Sequence, residues 1–248
     1  MHEEESMSNR RTADETASPL GLTLDHVDPA ANRTEQAASV IRRAILTGQL
    51  RPGQPLVESD IAASLGMSKT PIREALKTLV GSGLVLLSPY RGASVRAMDS
   101  AAAAEVYDMR LLLEPEGVRR SVRNGGDLGA ARRSLDLAAA TDDTAEMSLH
   151  NREFHRALYM ACGNPILTRT LDELRDQAAL VSVSGWRSAG GSSSETAEHE
   201  EILAAALAGD ANRAAQLLAA HISGFINRVL PTLDGRVDPA GPAAGRPH

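Results

Sequence analysis

The sequence predicts a mainly α-helical protein: three helices and a small β-hairpin, followed by an all-α bundle of about six helices. Three observations carry this. Apolar residues recur at helical spacing over most of residues 34–230. The single strand-turn-strand pattern, Leu84 to Val95, falls in the N-terminal part. The charge also changes sign between the parts. Residues 1–33 hold three Arg against seven acids, residues 34–98 eight Lys/Arg against four acids, and residues 99–248 fifteen Arg against twenty-one acids, within a net charge of −6. A basic segment between acidic ones suggests a polyanion-binding module joined to a domain with another task.

Composition narrows the function classes. Hydrophobic residues make up 42% of the 248, which is globular, but aromatic residues only 2%. Recognition of nucleic acid by rows of base-stacking rings is excluded, so any such binding is electrostatic or groove-directed. No apolar run approaches the roughly 20 residues that span a bilayer. Met1-His2-Glu3-Glu4-Glu5 lacks the basic and apolar stretches of a secretion signal. The expectation is a soluble cytoplasmic protein without a membrane partner. A lone cysteine, Cys162, excludes an intramolecular disulfide and a Cys-based zinc finger, and reads as a buried thiol.

Residues 1–33 mix charge with Ser, Thr, Gly and Pro and read as a disordered arm. Thr34 then caps a first helix with Ala37, Val40, Ile41, Ala44 and Ile45 on one face and Gly48 just past its end, before a turn at Arg51-Pro52-Gly53. A second helix, about Glu58 to Leu65, turns Ile61 and Leu65 inward and stops at Gly66. Ser68 or Thr70 caps a third, with Pro71 in its first turn and Ile72, Ala75, Leu76, Leu79 and Val80 as its apolar stripe. Lys69, Arg73 and Lys77, at i, i+4 and i+8, share the outward edge. Leu84–Leu87 and Ala93–Val95 pair around Ser88–Gly92, giving a wing with Arg91 at its tip.

These pieces make a winged helix-turn-helix over residues 34–98. Its third helix is expected to enter the major groove of double-stranded DNA. Lys69, Thr70 and Arg73 then meet phosphates or base edges, and Arg91 with the bare backbone of Gly92 approaches the minor groove. The competing reading of the helices alone is an ordinary three-helix core with a solvated basic face. Charge segregation and the Arg-Gly hairpin favour DNA. Glu58 has two readings, a charge favourable to its helix dipole and an orienting partner for a DNA-contacting Arg, the first being the safer.

Residues 99–230 read as helices near 100–123, 128–140, 143–161, 164–182, 195–208 and 210–230, with a mobile loop at Ser182–Ser194. Pro231 is expected to end the last helix, leaving residues 231–248 as a disordered tail. Asn151 and His155, four apart, project from one helical face, while His199 opens the fifth helix and His221 lies in the sixth. Singly, each histidine is more often a satisfied polar residue than a ligand. Together, an Asn oxygen and three imidazoles on neighbouring helices can converge on one metal ion.

Leu56-Val57-Glu58, Ile61-Ala62, the run Leu65 to Leu76, Gly83-Leu84-Val85 and Arg91-Gly92-Ala93 resemble the winged helix-turn-helix of the GntR family. That resemblance implies DNA contacts at Lys69, Thr70, Arg73, Arg91 and Gly92. Two positions depart from the family pattern: Lys69 stands where Arg is usual, and Ser59 where some members use Arg, which removes bidentate guanine recognition there. Arg110-Leu111-Leu112-Leu113-Glu114-Pro115, Asn151 to Leu158, His199 to Leu203 with Gly209-Asp210, and His221 resemble the FCD effector domain of the FadR subfamily. The resemblance implies a divalent metal (Zn, Ni or Mn) held by Asn151, His155, His199 and His221, with Asn151 where a carboxylate is common. A neutral amide leaves the ion's charge uncompensated. A small carboxylate effector would supply it, with Arg110 forking onto its other oxygens, or else Arg110 pairs with Glu114 at i+4.

The reading is therefore a non-enzymatic homodimeric regulator, a repressor by the family's usual mode, on a palindromic operator. Two alternatives stand beside it: a helical metal-dependent hydrolase, against which His199-Glu200-Glu201 lacks the second His of an H-E-x-x-H motif, and a regulator that senses the metal itself.

Overall fold

The computed structural model of the chain describes residues 20–24, 31–189 and 193–233. The sequence expectations for residues 1–19, 25–30 and 234–248 lie outside that range.

The N-terminal unit holds α1 (Arg33–Leu46), α2 (Glu58–Leu65), α3 (Lys69–Gly81), β1 (Val85–Ser88) and β2 (Gly92–Val95). Asn32, not Thr34, caps α1: its side chain accepts from the Glu35 amide at 3.0 Å while the Glu35 carboxylate accepts from the Asn32 amide at 3.1 Å. This reciprocal box satisfies two amides that Thr34, two residues later, would leave open. Gly66 ends α2 at φ 60, the left-handed conformation that brings Met67 and Ser68 round to start α3. Ser68 is the residue before α3, without a side-chain capping bond. Ile72, Ala75, Leu76 and Leu79 are buried against α1 and α2, whereas Val80 is 36% exposed at the edge of the stripe. The strands pair antiparallel with Val85 opposite Val95 and Ser88 opposite Gly92. Tyr90, at φ 67, makes the sharp reversal of the wing.

The segment before α1 departs from a wholly disordered arm. Leu22 is buried in the core, and the Gln49 side chain donates to the carbonyls of Leu20 and Gly21 at 3.1 and 2.9 Å. One apolar side chain and two backbone bonds suffice to dock this short stretch.

The C-terminal unit holds α4 (Ser100–Arg123), α5 (Gly129–Ala140), α6 (Thr144–Tyr159), α7 (Pro165–Ala189), α8 (Ser193–Leu207) and α9 (Ala211–Leu233). Asp99 and Asp143 cap α4 and α6 through bonds to the amides of Ala102 and Ala145. α4 packs along α9, where Tyr107 stacks on Phe225 with ring centroids 5.7 Å apart. Two expectations are corrected. The expected loop at 182–194 is helical through Ala189 and again from Ser193, because α7 propagates from its packed turns and meets no proline. Pro231 lies inside α9, which runs on to the buried Leu233; near a helix end the missing amide forfeits a single bond.

The two units touch through α1 and the inner helices of the bundle. Asp176 on α7, almost fully buried, forms an ion pair with Arg42 of α1 at 3.0 Å and accepts a hydrogen bond from Arg152 of α6 at 2.7 Å. Beside it, the Gln177 side chain lies so close to Gly83 (φ 76) that any Cβ there would meet its amide at 2.7 Å. The positive φ favours glycine at position 83, and a side chain there would also have to displace the end of Gln177.

Candidate functional site

Three helices converge inside the C-terminal unit. α6 brings in Asn151 and, one turn later, His155; α8 brings His199; α9 brings His221. One ligand atom from each of the three histidines lies within 4.8 Å of the others, and all three residues are buried. Every ring is held by a neighbour. His155 Nδ1 lies 2.6 Å from Glu114 Oε1, and His221 Nδ1 lies 2.6 Å from Glu198 Oε2. A carboxylate accepts, so these bonds place the proton on Nδ1 and leave the Nε2 lone pairs facing inward. His199 Nε2 sits 3.2 Å from His221 Nε2. His155 Nε2 and Asn151 Oδ1 are buried with no hydrogen-bond partner.

Electrostatics keep the imidazoles neutral. Burial, with the nearby Arg175 charge, pushes His155 well below the usual histidine range; burial, then His221 and Arg175, does the same to His199. His221 is pushed down to about 3 by burial, Arg110 and Arg175. Glu114 behaves oppositely: burial would raise it, but Arg110 and His155 outweigh burial and hold it well below the carboxylate range. Neutral imidazoles, two of them oriented by a carboxylate on the far nitrogen and one, His155, with its Nε2 unpartnered, suit a divalent transition metal. His155, His199, His221 and Asn151 fit one.

A small pocket of about 30 Å³ opens beside this cluster, lined by Tyr107, Arg110, Asn151, His155, Arg175 and His221, among others. Arg110 is buried there with its Nε on Glu114 Oε2 at 2.9 Å, the i+4 pairing the sequence offered, and its guanidinium carbon 4.7 Å from the Tyr107 ring centre. Sequence reasoning did not single out Arg175 or Glu198. Arg175 carried a signal, since it interrupts the apolar stripe of Leu171, Leu174 and Ala178 with a charge; Glu198 carried none beyond standing next to His199.

On the N-terminal unit, Lys69, Thr70, Arg73, Arg91 and Gly92 are all exposed. Glu58 grips Arg73 from both oxygens, at 3.0 Å to Nε and 2.8 Å to Nη2. The hydrogen bond from Arg73 holds the Glu58 carboxyl below its usual range. Glu58 thus pairs with Arg73 and also lies in the first turn of α2, an arrangement compatible with both of its readings. Lys77 pairs with Glu74 at 2.9 Å, and Lys69 opens α3.

A winged helix-turn-helix joined to a helical bundle with an internal polar pocket is the architecture of a DNA-binding regulator. Residues 33–95 match the gntR family of bacterial regulatory proteins and residues 105–224 match the FCD domain. An HTH-type transcriptional regulator of the TAR-I ttuE-ttuC' intergenic region of Agrobacterium vitis is 36% identical over 161 residues, covering 62% of this chain and 94% of that protein. The repressor GlaR of Escherichia coli is 28% identical over 196 residues, covering 73% and 89%. The crystal structure of a GntR transcriptional regulator from a Rhodococcus species superposes with a TM-score of 0.73 at 29% identity, over 81% of this chain and 99% of that one. The chain belongs to the GntR family of transcriptional regulators, with an FCD domain, and is not an enzyme. Among the described residues no helix is long and apolar enough to cross a membrane.

Proposed function

We propose that the protein is a cytoplasmic homodimeric repressor that binds a palindromic operator through residues 34–98 and releases it when a small carboxylate binds residues 99–230. Lys69, Thr70, Arg73 and Arg91, with the Gly92 backbone, would meet the DNA, two modules reading two half-sites. Asn151, His155, His199 and His221 would hold a divalent ion, Zn, Ni or Mn, whose open positions take a carboxylate oxygen. Glu114 and Glu198 orient two of the rings, and Arg110, anchored by Glu114, faces the same pocket.

The observation that carries this reading is the convergence of neutral, buried imidazoles beside two orphaned acceptors, His155 Nε2 and Asn151 Oδ1. Unpaired buried acceptors are costly, and a cation satisfies both. The test is metal analysis combined with gel shifts on the DNA upstream of the gene, using native, EDTA-treated and His155→Ala His199→Ala protein. The expected result is one ion per chain in the native protein, none in the variant, and release of DNA by carboxylates only when the ion is present. Release by the ion alone would favour metal sensing. A protein that never retains a divalent ion would end the metal reading.

A further inference from the structure

The first helix of the bundle, α4, turns one side inward and the other to solvent. Its inner side carries Ala103, Tyr107, Arg110, Glu114, Val118 and Ser121, all buried. Its outer side carries Glu105, Met109, Leu112, Glu116, Arg119 and Arg123, at alternating intervals of four and three residues, the spacing by which one helix lies along another. Leu112, at the middle of this stripe, is 71% exposed, and Met109, one turn earlier, 43%. Leu137, Ile166 and Leu207 are also exposed, but each stands on a different helix of the bundle. Single exposed apolar residues are ordinary, whereas a pair on consecutive turns in heptad spacing is what a partner helix buries.

The charge along the stripe is divided. The half before Leu112 holds the acids Glu105 and Asp108, which make no hydrogen bond or ion pair among the described residues. The half after it holds Glu116 and the arginines Arg119, Arg120 and Arg123. Glu116 is engaged within the helix by Arg119 and by Arg120, the latter at 2.8 Å. Arg119 and Arg123 also reach the neutral Asn212 side chain on α9, at 3.3 and 3.5 Å, so this half keeps a surplus of two positive charges. Acids early and bases late suit the helix dipole as well. The dipole gives no reason for apolar side chains at the exposed centre.

Two copies of α4 laid parallel would set acid on acid and base on base. Turned antiparallel about a two-fold axis through Leu112, they set Leu112 on Leu112. Glu105 and Arg119, each seven residues or about 10 Å from that centre, then stand opposite one another. A contact between identical subunits requires such a surface, one patch complementary to itself after half a turn.

We propose that α4 is the face by which two copies of this chain associate, its outer stripe pairing antiparallel with the same stripe of the second copy across Leu112. The proposal rests on the homodimer reading above and deepens it, since it assigns the contact to the bundle rather than to the winged unit.

The test is sedimentation velocity of the full-length protein over a concentration series. The native protein should form dimers. Leu112→Glu withdraws one apolar side chain per copy and sets two carboxylates at the centre; it should raise the dimer dissociation constant about 100-fold, about tenfold for each leucine lost from the contact. Leu112 is exposed in the single chain, so the helical circular dichroism should stay native, and Leu112→Ser serves where the Glu variant does not fold. Glu105→Arg and Arg119→Glu should each weaken the dimer, and an equimolar mixture of the two variants should restore it, because in the mixed pair every charge again meets its opposite. A role confined within one chain gives no such rescue. A Leu112→Glu dimer as tight as the native one, or a mixture no tighter than its components, overturns the proposal and leaves the homodimer reading standing. A native protein that stays monomeric ends the homodimer reading and this proposal with it.

Discussion

Glu114→Gln is the most informative single perturbation of the bundle. The side chain is fully buried and keeps its shape in the variant, but the negative charge disappears. In the native protein that charge holds Arg110 at 2.9 Å and His155 at 2.6 Å, both themselves buried. Removing one partner of a buried ion pair leaves the other uncompensated, at about 3–5 kcal/mol. With a urea dependence of about 2–3 kcal/mol per molar, the unfolding midpoint of EDTA-treated protein should fall by roughly 1–2 M. The same change loosens His155, and loss of an orienting carboxylate lowers metal affinity by about 10–100-fold. Urea unfolding followed by circular dichroism reads the first effect and competitive chelator titration the second. A midpoint shift below about 0.3 M would show that Arg110 finds water or another acceptor, and would refute the claim that Glu114 is the counter-charge of this core.

Three other outcomes follow from the geometry. A double-mutant cycle of Arg42→Ala with Asp176→Asn should return a coupling of about 1 kcal/mol in urea unfolding, modest because Arg42 is 36% exposed, while Asp176→Asn alone costs more by also releasing Arg152; strict additivity would dissolve this link between the units. Lys69→Ala should lower the slope of log affinity against log salt in DNA binding by about 0.9, and Arg73→Ala should weaken operator binding by about 1–3 kcal/mol, both read by fluorescence anisotropy. His221 falls from 6.5 in the unfolded chain to about 3 in the fold, so between those values the unfolded state binds the extra proton. Metal-free protein should be insensitive to pH through this group above about 6.5 and lose up to about 5 kcal/mol as the pH drops toward 3, measured by urea titrations across that range.

Local signals made the N-terminal unit readable from sequence. Gly66, the Ser68-Lys69-Thr70-Pro71 start of α3 and the Arg91-Gly92 hairpin each demand a particular backbone, so α2, α3 and the wing fell within a residue or so of where they lie. The choice between Asn32 and Thr34 as first cap was harder, because both side chains can accept and only the Asn32-Glu35 reciprocity decides. Within the bundle, periodicity placed the helices, but their ends at Ala189 and Leu233 depended on cooperative packing that composition does not encode. The histidines were visible as types. Their second neighbours were not: Glu198 reaches His221 across 23 positions, and that Arg110 turns to Glu114 depends on which helix faces close over it.

Successive residues on α7 face three different neighbourhoods: Arg175 the pocket, Asp176 the first helix of the winged unit through Arg42, and Gln177 the glycine that opens the hairpin segment. Neighbouring residues of one helix share a rigid backbone and point about 100° apart. A roll or slide of that rod carries all three side chains together, drawing on the salt link to Arg42 and shifting the surface against Gly83. Pocket lining, interdomain ion pair and hairpin contact are therefore fixed to one rigid element, and none of the three can shift without displacing the others.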